Sequence, residues 1–141
     1  MTAQAHLGLS MTRRLDRLSW PEAEKALQQS RSTVVWPMRA FEQHGPHLPL
    51  ATDALFSERI LTSVLSQLAP NAPIWSLPSQ SIGFSPEHSG FPGTLSLSSG
   101  LLTQLIIEVG TQLCTQGVKR LVLFNAHGGQ IGLLQAAARE L

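Results

Sequence analysis

The stretch Leu121-Val122-Leu123-Phe124-Asn125-Ala126-His127-Gly128-Gly129 decides how this chain folds. Four consecutive apolar residues make a strand of the kind buried on both faces of a parallel sheet. The two glycines that follow permit a tight turn and close backbone approach. A helical pattern then begins, with Leu134, Ala137, Ala138 and Leu141 at its spacing. Strand, tight turn and helix in this order form the repeating unit of an α/β domain.

The same alternation extends backwards. A helix from about Ser98 carries Leu102, Leu105, Ile106, Val109 and Leu113 on one face, and Gly117 closes it. Ile74-Trp75-Ser76-Leu77 reads as a short strand, and Thr33-Val34-Val35-Trp36 as another, stopped by Pro37. Thr52-Asp53 opens a helix that Pro70 closes. Ser19-Trp20-Pro21-Glu22 starts the first helix, which runs to about Ser30, with a capping box between Ser19 and Glu22. Helix and strand alternate from end to end, which implies right-handed crossovers and a parallel sheet with helices on both faces. The expected fold class is α/β, three-layer αβα with a mainly parallel sheet. The helical pattern reaches Leu141 with no stop signal, so the sheet is expected to be incomplete in this chain.

Charged residues are 13% of the 141, against about 25% in ordinary domains. So little charge implies that part of the surface meets another subunit or further polypeptide, and a homo-oligomer is expected. A net charge of +1 gives no basic excess for nucleic acid. No apolar run approaches the roughly 18 residues of a membrane span. A lone cysteine, Cys114, excludes an internal disulfide and suits a reducing, cytoplasmic setting. Residues 1–18 read as a disordered tail, and the domain is expected over 19–141.

Four of the five histidines fall in the three loops that follow strands, and those loops gather at the carboxyl edge of a parallel sheet. Glu42-Gln43-His44-Gly45-Pro46-His47 is the densest group, and its Glu42 and His44 share a face in extended backbone. Asp53, at a helix start, could turn its carboxylate toward them or simply cap the helix. Mixed carboxylate and imidazole donors suit Zn²⁺, Mn²⁺ or Fe²⁺ better than Mg²⁺ or Ca²⁺. His127 is presented at the same edge. A phosphate cradle there is disfavoured, since no Lys follows and GxGxxG is absent. Glu87 and His88 lie in the long loop 78–97 and point to opposite sides if that loop is extended, which argues against one shared ion.

Together these groups resemble the creatininase family of metal-dependent amidohydrolases. The matching stretches are Glu42-Gln43-His44-Gly45-Pro46-His47-Leu48-Pro49 with Thr52-Asp53, Gly83-x-Ser85-x-Glu87-His88 with Phe91-Pro92-Gly93-Thr94-Leu95-Ser96-Leu97, and Asn125-x-His127-Gly128-Gly129. The resemblance implies hydrolysis of non-peptide or cyclic amide C–N bonds in a small-molecule substrate, at a centre of two divalent metal ions. It implies Glu42 and His127 as ligands of one ion, His44 of the other, and Asp53 as the bridge. Glu87 and His88 become the candidates for contacting substrate. Creatininase itself has a Glu ligand where this chain has Gly129, so creatinine is disfavoured as substrate. Ala126 and Gln130 also replace a Gly and an Asn usual in the last motif. Against the enzyme stands a second reading, a truncated family member serving as a structural or interaction module.

Overall fold

The structure, a computed structural model, describes residues 13–141; the tail expected over residues 1–12 lies outside the described residues. Helices α1 (Trp20–Leu27), α2 (Thr52–Gln67), α3 (Ser99–Thr115) and α4 (Ile131–Ala138) alternate with strands β1 (Thr33–Met38), β2 (Ile74–Ser76) and β3 (Arg120–Asn125). The strands form a parallel sheet in the order β2-β1-β3, with Val34 opposite both Trp75 and Leu121.

Alternate residues of β1 divide the two faces of the sheet. Trp36 and Met38 pack with Leu102, Ile106, Leu134 and Ala137, so α3 and α4 cover one face. Val34 continues that core toward Leu27, Leu113 and Val118. On the opposite face Pro37 and Arg39 share a cavity with Glu58, Leu61 and Leu65 of α2. Helices therefore flank the sheet on both sides, as the alternation required.

Local signals account for most element ends. The Glu22 carboxylate accepts from both the backbone N–H and the hydroxyl of Ser19, at 2.8 and 2.6 Å, fixing the start of α1. The Ser98 hydroxyl accepts from Leu101 N–H at the start of α3. Gly117, at φ 102°, turns the chain after α3 in a conformation that a side chain would strain.

Four expectations change. Pro37 does not stop β1; it lies inside the strand, paired with Phe124. Its missing N–H faces the β2 side, where Leu77 N–H has already donated to Val35 and the next donor, Gln80 N–H, meets the Pro37 carbonyl. A proline is tolerated where the ladder skips a donor. Second, β3 is not buried on both faces: it is an edge strand, and Val122 is 42% exposed. Third, α1 ends at Leu27 rather than near Ser30, and α4 ends at Ala138, leaving Leu141 beyond it. Finally, residues 13–18, read as tail, lie against the sheet. The Arg13 guanidinium donates to the carbonyls of Ala69, Ala72 and Ile74, and Ser76 N–H donates to Arg13 O.

Candidate metal centre

Three loops converge at the carboxyl ends of the strands, and hydrogen bonds to their backbones hold them. The first leaves β1 and is tied to the loop after β2: Leu95 N–H donates to Phe41 O at 2.9 Å, and Gln43 N–H to the Thr94 hydroxyl at 3.1 Å. The turn after β3 is set by Asn125, whose amide donates to His127 O at 2.7 Å and accepts from His127 N–H at 3.2 Å. Gln130 joins all three. It is fully buried; its amide NH₂ donates to Asn125 Oδ1 at 2.9 Å, and its Oε1 accepts from Phe84 N–H at 3.1 Å. The substitution at 130 thus supplies a long side chain that sews the β2 loop to the β3 turn.

This framework brings the four predicted metal residues together. Glu42, Asp53 and His127 are all buried, and one ligand atom from each lies within 4.8 Å of the others. Glu42 Oε1 is 3.0 Å and Asp53 Oδ2 3.5 Å from His127 Nδ1. Asp53 Oδ1 is 3.0 Å from His44 Nε2. The two oxygens of Asp53 therefore face two different imidazoles. The N-cap of α2 is Ala51; Asp53 lies inside the first turn, and its carboxylate faces His44 rather than the helix's own N–H groups. His47 is exposed on the same loop and is not among the grouped residues.

The hydrogen bonds decide what the two imidazoles present to the carboxylates. A backbone carbonyl only accepts. The outer nitrogen of His44, Nδ1, sits 3.1 Å from Glu42 O and must donate to it. The outer nitrogen of His127, Nε2, likewise lies 3.0 Å from Phe84 O, with the Ser85 hydroxyl at 3.3 Å. In each neutral ring the inner nitrogen is left with a lone pair aimed at a carboxylate. Lone pair against anion is repulsive unless a cation lies between them, and anchoring of the outer N–H on a carbonyl is how metal-binding histidines are held. Two buried carboxylate oxygens, Glu42 Oε2 and Asp53 Oδ2, have no hydrogen-bond partner. Burial pushes the Asp53 carboxyl above the usual carboxylate range, and the nearby Glu42 adds to this against the opposing pull of His44 and His127. The donor set fits a divalent cation.

Glu87 and His88 reach the same cleft. They are not extended but lie in a short 3-10 turn, Pro86–His88, which removes the reason for setting them on opposite sides. Their ligand atoms group with Glu42 within 4.8 Å, and Glu87 Oε1 is 3.7 Å from His127 Nε2. The sequence reading missed Gln43, whose Nε2 lies 2.9 Å from His88 Nδ1. At Gly129, singled out in the sequence, a Cβ would collide with Glu87 Oε1 and come within 2.6 Å of His127 Nε2. No helix among the described residues is long and apolar enough to cross a membrane.

A parallel α/β sheet with buried carboxylates and carbonyl-anchored imidazoles at its carboxyl edge defines an α/β protein with a candidate metal centre. Residues 16–141 match the model of the creatininase family, described as creatinine amidohydrolase, and the chain belongs to that family. It is 38% identical over 117 residues to the mycofactocin precursor peptide peptidase of Mycobacterium tuberculosis, covering 79% of this chain and 46% of that protein. To the creatinine amidohydrolase of Pseudomonas putida it is 32% identical over 115 residues, 78% of this chain and 43% of that one. A solved structure described as "Creatininase Mn" superposes with a TM-score of 0.79 at 27% identity, covering 92% of this chain and 52% of that chain. The chain spans about half the length of the curated relatives it matches.

Proposed function

We propose that the protein is a metal-dependent amidohydrolase that cleaves amide C–N bonds at a centre of two divalent ions. The observation that carries the reading is the pair of inner nitrogens, His44 Nε2 and His127 Nδ1, each turned as a lone pair toward the Asp53 carboxylate. Glu42, His127 and Asp53 would hold one ion, and His44 with Asp53 would hold the second. Mn²⁺, Zn²⁺ or Fe²⁺ suits these donors. When bound, such ions lower the pKa of a water and polarise a carbonyl. The residues themselves orient and exclude solvent: Glu42 and His127 are 3% and 6% exposed, so both side chains are shielded from water.

Similarity to a peptide peptidase widens the substrate class to peptide amides as well as the small or cyclic amides expected from the motifs. Homo-oligomerisation and a cytoplasmic setting belong to the same proposal, supported by the sparse charge and the single, exposed Cys114.

Elemental analysis after dialysis tests the assignment. The expected result is two equivalents of metal in the unmodified protein, loss in the alanine variants of Glu42, His44, Asp53 and His127, and retention in His47→Ala. If Asp53→Ala keeps full metal while His47→Ala loses it, the ligand set is wrong. One ion at most, with no amide turnover, would make the chain an interaction module instead.

A further inference from the structure

His88 stands apart from the two histidines assigned to metal, and the difference lies in its outer nitrogen. Gly45 N–H donates to Gln43 Oε1 at 2.8 Å. A backbone N–H can only donate, so this bond fixes which end of the Gln43 amide is oxygen. The other end, Nε2, is then an NH₂ group, and it lies 2.9 Å from His88 Nδ1. To receive that bond, Nδ1 must be unprotonated. In the neutral ring the proton is therefore on Nε2, the nitrogen that faces the centre, with Glu42 Oε2 4.0 Å away. His44 and His127 are anchored on acceptors and turn lone pairs inward; His88 is anchored on a donor and turns an N–H inward.

Proximity alone groups Glu42, Glu87 and His88 as metal-binding candidates. The hydrogen-bond chain argues otherwise for His88, because a nitrogen that carries a proton has no lone pair for a cation. Other features support a fixed donor. The His88 ring meets Phe91 edge-on, with centroids 6.1 Å apart, which limits its rotation. Gln43 is itself held, since its own N–H is bound by Thr94. The side chain is 28% exposed, so the inward N–H is within reach of a ligand in the cleft.

We propose that His88 Nε2–H is the hydrogen-bond donor to the carbonyl oxygen of the scissile amide, and that Gln43 is the positioning residue that keeps the proton on that nitrogen. The choice of an amide carbonyl as acceptor rests on the amidohydrolase reading; the place of the proton does not. A donor set in advance at the oxygen where negative charge develops is worth about 10²-fold or more in turnover.

The test joins a spectroscopic readout to kinetics in the full-length, zinc-loaded protein. Long-range ¹H–¹⁵N correlation of the ring should show His88 protonated at Nε2 and bare at Nδ1. Gln43→Glu keeps the acceptor for Gly45 but presents only oxygen to the ring, so Nδ1 should become protonated. Turnover should fall about 10²-fold with metal content unchanged. His88→Gln, which retains an N–H donor, should keep roughly 10-fold more turnover than His88→Ala. A native ring protonated at Nδ1, or a tautomer that Gln43→Glu leaves unchanged, overturns the proposal. So does loss of metal in His88→Ala, which would make His88 a ligand. Absence of metal and of amide turnover from the unmodified protein would instead sink the amidohydrolase reading and the carbonyl acceptor with it, while the ring spectrum still reports the proton.

Discussion

Replacing Asp53 with Asn should change stability in opposite directions with and without metal. Without metal, Asp53 is a buried carboxylate with an atom within 4.8 Å of Glu42. At that separation, and with an effective dielectric constant of about 20, two negative charges repel by roughly 3–4 kcal/mol. The Asp53 carboxyl is accordingly raised, with burial the largest cause and Glu42 adding to it. The sign follows directly. A carboxyl whose folded pKa is raised favours the folded state while it is protonated, below its ordinary value. That contribution is lost as pH rises through the folded value. Asn is isosteric and uncharged, so the metal-free variant should be more stable at pH 7 by about 1–2 kcal/mol, or roughly 5 °C in melting temperature. Its stability should also lack the slope that Asp53 supplies as pH rises above the ordinary carboxylate range. With metal at about 100 times its dissociation constant the unmodified protein gains roughly 2.7 kcal/mol, and the variant, deprived of the shared ligand, gains none. Thermal melts of chelator-treated and metal-loaded protein at two pH values measure all of this. Should the metal-free variant melt below the unmodified protein at pH 7, the electrostatic account of this site is wrong.

Three further outcomes follow from the packing. Gly83→Ala drives a Cβ against Arg39 O and Gln130 Oε1. Backbone cannot retreat, and displacing Gln130 leaves Phe84 N–H unpaired, so a loss of about 2–4 kcal/mol is expected. A melting temperature within 2 °C of the original, a band set as roughly half a kcal/mol, would refute it. Gly129→Ala should lower the metal-free melt by about 1 kcal/mol, because the far end of Glu87 can yield but the His127 ring must strain its bond to Phe84 O. The His127 ring, 2.6 Å from the new Cβ, cannot yield without leaving Phe84 O. Titration calorimetry should therefore show metal affinity reduced by about 10-fold or more; unchanged affinity refutes the tight anchoring. Lastly, Phe56, Ile60 and Val64 form an apolar row along α2, 62%, 37% and 49% exposed. Rows of this kind drive association, so Phe56→Glu with Val64→Lys should lower the sedimentation coefficient, and an unaltered value would place any interface elsewhere.

The features legible in the sequence were those whose cause is local. The Ser19–Glu22 capping box lies within one turn, and the strand–turn–helix from Leu121 onward carries its own glycines. Asp53 could be suspected because a helix start aims its side chain at the neighbouring loop. What escaped depends on partners far along the chain. Pro37 sits in a central strand because of how residues 77–80 take over the ladder beside it. The apolar run of β3 looked buried on both faces because neither side of a strand can be read without knowing its neighbours. Glu87 and His88 were misjudged through their backbone: an extended loop separates adjacent side chains, a 3-10 turn does not. Gln130 could be read only as a replacement for a usual Asn, because its bond to Phe84 spans 46 positions.

The three histidines of the centre show why residue type alone could not assign roles. Each imidazole has one nitrogen toward the cleft and one toward the protein, and the protein-facing contact decides what the cleft sees. A carbonyl behind His44 and another behind His127 leave lone pairs in front. The amide behind His88 leaves a proton in front. Those anchors come from Glu42, Phe84 and Gln43, and the first two act through backbone carbonyls that any residue type carries. The same loop backbone that ties residue 43 to Thr94 also orients Glu42, so the proposed ligands and the proposed donor share one piece of structure. A change that loosens the tie between residues 41–43 and 94–95 should then disturb metal affinity and the His88 proton together. Thr94→Val is the least intrusive way to do it: it removes the hydroxyl that binds Gln43 N–H and keeps the shape. Calorimetric metal affinity and the His88 ring spectrum should both shift in this one variant. If metal affinity falls while the ring spectrum stays native, the two functions are set independently and the loop is not their common support.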